Sequence, residues 1–128
     1  MEFVEAVRKC LDDPAGGISI LDEPDPLDFS KLQQAVVIFH AAWSPPSAMV
    51  IRDYAAAYQR FSKSPGSAIG FYILNWDKLT PAYVAKLPGP LGGWGETFLV
   101  KDGLIPYSIP RYLKTFENEL ERIFTTKS

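Results

Sequence analysis

Two apolar runs constrain this chain more than any other feature: AVVIFH, from Ala35 to His40, and AIGFYIL, from Ala68 to Leu74. Both are rich in β-branched and aromatic residues, and neither alternates with polar ones as a strand with one wet face would. They read as strands buried on both sides. Between them Val50, Tyr54, Ala57, Tyr58 and Phe61 recur at helical spacing, while Arg52, Asp53, Gln59 and Arg60 fall outside that face. Strand, long helix, strand is a crossover, and crossovers of this length join parallel strands. The chain therefore needs a parallel core with helices packed on it.

The flanking segments extend this frame. Phe3, Val7, Cys10 and Leu11 share one face of a first helix, which Asp12 to Gly17 ends. ISIL, from Ile18 to Leu21, is a short strand, and the two prolines of Asp22 to Pro26 make a loop. Asp28 or Ser30 caps a short helix through Gln34. Ser44 is suited to N-cap the long helix with Pro45 at its first position, where a missing N–H costs nothing. Ser64 to Ser67 breaks that helix, and Thr80 with Pro81 opens a short one carrying Tyr83, Val84 and Leu87. After the Pro88 to Gly95 loop, Thr97 to Val100 and Leu104 to Tyr107 form a hairpin about an Asp-Gly turn. Ser108 is expected to cap a last helix with a stripe of Ile109, Tyr112, Leu113, Phe116, Leu120, Ile123 and Phe124. The predicted fold class is α/β: a mixed central sheet of four to five strands, flanked by helices on both faces. Residues 1–128 read as a single domain, with an N-terminal helical extension over about 1–17.

Charge and cysteine content narrow the function classes. Formal net charge is -2 and the 13 basic residues are scattered from Arg8 to Lys127, which argues against a nucleic-acid partner. The longest apolar run, Ala35 to Trp43, is too short to span a bilayer, and MEFVEAVRKCL lacks the apolar core of a secretory signal. A single cysteine, Cys10, permits no internal disulfide, so a reducing compartment, the cytoplasm, is expected. From Leu11 to Ser30 there is no basic residue, while Asp12, Asp13, Asp22, Glu23, Asp25 and Asp28 fall there. Those acids make either a solvated face with turns or an acidic docking edge for a basic partner.

The element order, with AAWSPPS between the second strand and the long helix and TFLVKDG before the last helix, resembles the thioredoxin family. The resemblance runs roughly from Ile18 to Phe124, and members read similarly to WCGPC or WCPPC and PTFLxFKDG at these places. It implies a thioredoxin-like fold. It also implies where chemistry ought to lie, and this chain departs at each position. Ser44 and Ser47 stand where the family has its two cysteines, Glu96 where it has a cis-proline, and Ile38 where it usually has a buried acid. A serine hydroxyl ionises far above a thiol and forms no disulfide, so dithiol chemistry is excluded.

Other chemistry is weakly supported. Ser44 as a nucleophile needs a base oriented by a third group, and His40, the one histidine, reads as a strand-end residue with a satisfied hydrogen bond. One His and one Cys make a poor metal set, so no catalytic residue, metal or cofactor is assigned. What remains is a surface: Trp43, Ser44, Pro45, Pro46 and Ser47 with the facing Trp94, Gly95 and Glu96. Trp94, on a glycine-flanked loop, is expected to be the exposed anchor. Trp43 either packs on the sheet or stands at the surface, and Trp76 packs at a strand end. The expected function is protein–protein binding by a redox-inactive thioredoxin-fold protein, as adaptor, assembly chaperone or inhibitor, monomeric or homodimeric. The alternative is a glutathione- or peptide-binding enzyme of the thioredoxin superfamily that uses serine in place of cysteine.

Overall fold

The computed structural model describes residues 2–11, 18–23, 27–62, 69–85, 87, 92–109 and 112–124. The turns expected at 12–17, 24–26, 64–67 and 88–91 lie outside the described residues, as does the start of the second apolar run at Ala68. In chain order the elements are α1 (Phe3–Cys10), β1 (Ile18–Leu21), β2 (Gln34–His40), α2 (Pro45–Ser62), β3 (Gly70–Asn75), α3 (Pro81–Val84), β4 (Glu96–Lys101), β5 (Leu104–Ile109) and α4 (Leu113–Phe124). Single 3-10 turns at Phe29–Lys31 and Trp76–Lys78 lead into β2 and α3.

The described strands form one sheet in the order β1-β3-β2-β4-β5. β1 and β2 both pair with β3 in parallel, whereas β4 runs antiparallel to β2 and to β5. Strand β2 sits at the centre, and its alternation decides where the core lies. Val36 and Ile38 point to the face covered by α1, α2 and α4, among Val7, Ile51, Tyr54, Phe71, Ile73, Leu99, Phe116 and Leu120. Ala35, Val37 and Phe39 point to the other, among Leu74, Tyr83, Leu87, Phe98 and Val100. Burial on two faces is why the run carries no polar alternation, and each such large side chain contributes about 1.5–3 kcal/mol. The α2 stripe of Val50, Tyr54, Ala57 and Tyr58 is buried, with Tyr54 stacked on Phe116 of α4 at 4.1 Å between centroids.

The hairpin closes as its Asp-Gly pair requires. Asp102 and Gly103 have φ of 56° and 78°, the two left-handed positions of a turn that matches strand twist. Gly103 also donates its N–H to Leu32, docking the turn on the segment before β2.

Two helical expectations change. The short helix is a 3-10 turn ending at Lys31, its cap is Asp28, and Gln34 already pairs with Lys101 as the first residue of β2. The last helix begins at Leu113 rather than after Ser108, because β5 continues to Ile109, with Ser108 opposite Phe98 and Ile109 opposite Thr97. Sheet pairing outcompetes the local cap signal. The stripe is accordingly shorter: Phe116 and Leu120 are buried, while Tyr112 and Leu113 are exposed.

Candidate functional site

The segment between β2 and α2 is built as a helix entrance. Ser44 donates its N–H to the Ala41 carbonyl at 3.0 Å, and its own carbonyl accepts from Ala48 at 3.1 Å. Its hydroxyl accepts a long 3.4 Å bond from the Ser47 N–H, and Pro45 and Pro46 fill the next two positions, exposed. Ser44 is thus the N-cap that the sequence suggests.

Ser47 is the more tightly held of the two serines. It is fully buried, and its Oγ accepts from the Ala41 N–H at 3.0 Å and lies 2.6 Å from His40 Nδ1. Ser47 Oγ and His40 Nδ1 thus satisfy one another's hydrogen-bonding capacity inside the fold. Burial pushes the His40 pKa down to about 4, the Asp77 carboxylate and a hydrogen bond with the Ser47 backbone opposing that shift. His40 therefore meets its expectation of a satisfied strand-end residue, and its partner is Ser47. This pair is invisible to local spacing, since it spans a strand end, a loop and a helix turn. Chemically it is closed: Ser47 has no exposed surface at which a substrate could meet it.

Of the two tryptophans, Trp43 stands at the surface and Trp94, the expected anchor, does not. Trp43 is 60% exposed, yet it is fixed along one edge: Nε1 donates to Asp77 Oδ1 at 2.9 Å, and the ring meets Trp76 edge-on at 5.5 Å. Gly93 lies against the same ring, where a Cβ would stand 3.0 Å from it. Trp94 is half-buried and packs on the core beneath α1, α2 and α4, so it is not the exposed anchor. The reason is the backbone on either side. Gly93 and Gly95 have φ of 85° and 98°, and Gly95 approaches α2 so closely that a Cβ would sit 2.9 Å from Val50.

Glu96 also turns inward. It is 4% exposed, and its carboxylate accepts the N–H groups of Gly92 and Gly93, the latter at 3.1 Å. The amides of Gly92 and Gly93 are therefore engaged by the chain's own carboxylate. No cis peptide bond occurs among the described residues, so Glu96 opens β4 with an ordinary trans backbone. Ile38 is a fully buried core residue. The eight residues singled out by sequence are brought together, but only Trp43, Pro45 and Pro46 of them present substantial surface, and Ser44, Ser47, Gly95 and Glu96 support it from below.

Sequence reasoning missed the neighbours that complete this face. Met49 is 55% exposed, and an apolar groove of about 270 Å³ between α2 and α4 is lined by Pro46, Met49, Val50, Asp53, Tyr54 and Leu113. The acidic segment is partly used internally. Asp22 accepts from Asn75 Nδ2 and Lys78 Nζ, both at 2.7 Å, Glu23 pairs with Lys78 at 3.1 Å, and Asp28 caps its turn. Hydrogen bonds from the Lys78 ammonium and Asn75 hold the Asp22 carboxyl below the usual range. Asp12, Asp13 and Asp25 lie outside the described residues. Among those residues no group of three His, Cys, Asp or Glu could hold a metal, and no helix is long and apolar enough to cross a membrane.

No protein-family model and no curated protein matches this sequence. Solved structures do. A thioredoxin of Plasmodium falciparum superposes with a TM-score of 0.64 at 14% identity, over 82% of this chain and 98% of that one. Mitochondrial thioredoxin 3 of Saccharomyces cerevisiae gives 0.62 at 17% identity, over 83% and 95%. The zinc-bound form of human ERp44 gives 0.62 at 18% identity over 82% of this chain, which spans only 30% of that longer protein. At these identities the likeness establishes the architecture: the chain has a thioredoxin fold.

Proposed function

We propose that this thioredoxin-fold chain acts by binding another protein, as an adaptor, assembly chaperone or inhibitor, and carries out no thiol redox cycle. The observation that carries the reading is the division of labour at the start of α2. Ser47 is fully buried between Ala41 and His40, while Trp43 beside it is held in place and 60% exposed. The positions where the resemblance would put cysteines are spent on structure, and the surface over them is apolar, fixed and open. Exposed, pre-positioned tryptophan is a common anchor of protein interfaces. The lone Cys10 ends α1 rather than standing in the segment between β2 and α2. A glutathione- or peptide-handling enzyme is less well supported, because Glu96 already occupies the loop amides of Gly92 and Gly93.

The test is a glutathione-coupled disulfide turnover assay on the wild-type chain and on Ser44→Ala, together with retention on a glutathione resin. No turnover above background and no retention are expected for either protein. Turnover that disappears in Ser44→Ala would replace this reading with the enzymatic one.

A further inference from the structure

Resting on the binding role proposed above, we infer that the partner presents to this face a segment in which a cationic side chain lies beside a large apolar one. The face has two unlike halves that meet at the start of α2. On one side the Trp43 ring is exposed, with Asp77 at its indole N–H. Around it, at the ends of β1 and β3, stand the carboxylates of Asp22, Glu23 and Asp77 against the single ammonium of Lys78. The Asp22–Asn75 hydrogen bond ties these two strand ends into one surface. An indole face bordered by excess negative charge is suited to a guanidinium or ammonium, which gains from the ring and the carboxylate together. On the other side Pro45, Pro46 and Met49 lead into the groove between α2 and α4, whose lining is apolar except for Asp53. Methionine at its mouth adapts to differently shaped apolar side chains.

Charge complementarity then selects the occupant. An acidic partner surface or a nucleic acid would meet like charge at Asp22, Glu23 and Asp77, and a wholly apolar segment would fill the groove while leaving the excess of carboxylate over the Lys78 ammonium unanswered. A short stretch carrying both residue types satisfies both halves.

Isotope-labelled full-length chain, titrated with short peptides alternating leucine with arginine, with citrulline or with glutamate, tests this by NMR. The arginine peptide is expected to shift the Trp43 indole and Met49 methyl resonances. Its affinity should fall about five-fold in Asp77→Asn, a variant that keeps an oxygen for the Trp43 N–H and so preserves the fold, and fall again at high salt. Equal binding of the citrulline peptide at the same resonances would overturn the recognition of a cation while leaving the binding role standing. Preference for the glutamate peptide, shifts scattered away from Trp43, or no shift with any peptide would each overturn the inference.

Discussion

Ser47 and His40 together fix the floor of the site, and their removal has calculable consequences. Ser47→Ala leaves a buried imidazole nitrogen and the Ala41 N–H without their partner, at a cost of about 1–3 kcal/mol. Ser44→Ala removes only a long cap bond and costs about 1 kcal/mol. Urea unfolding of the two variants should rank them in that order. Acid should act through His40. In the unfolded chain the imidazole takes up a proton near 6.5, whereas the buried one resists until about 4. Between these values the unfolded state binds more protons, so stability present above pH 6.5 is lost as the pH falls toward 4, by at most about 3 kcal/mol. Denaturation midpoints at about pH 7 and about pH 4.5, compared with those of His40→Asn, isolate this contribution. The variant should lose less between the two conditions, and an equal loss would mean that other groups dominate.

The elements show which sequence signals survive folding. Asp-Gly at the hairpin is one, and Gly103 tests it: a Cβ there adopts φ near 78° and meets the Ser30 carbonyl oxygen at 2.7 Å. Gly103→Ala should therefore cost more than about 1 kcal/mol, measured by urea unfolding. The β2 and β3 runs, the stripe of α2 and the Ser44 cap were legible because each is set by residues a few positions apart. The extension of β5 through Ile109 was not, because it depends on Thr97 and Phe98 across the sheet. At the site, the composition of the entrance was legible, but the inward turn of Trp94 was not. That turn depends on positive φ at Gly93 and Gly95 and on the contact of Gly95 with Val50, which no local pattern announces. The His40–Ser47 pair has the same origin, being closed by the fold rather than by spacing.

Across the whole molecule, the start of α2 retains a shape while its polar groups have turned inward. Ser47 faces His40, Glu96 faces its own loop, and Ile38 belongs to the core. What faces outward is Trp43, the two prolines, Met49 and the groove toward α4. Leu104, 72% exposed at the start of β5 on the hairpin, supplies an apolar control in a different element. The most direct measurement is photo-crosslinking in an extract of the native source, with the crosslinking residue placed at Met49 or at Leu104. We predict a discrete protein adduct from Met49 that disappears in Trp43→Ala at unchanged thermal stability, with no matching adduct from Leu104. An adduct from Leu104 that persists in Trp43→Ala, with none from Met49, would contradict the account.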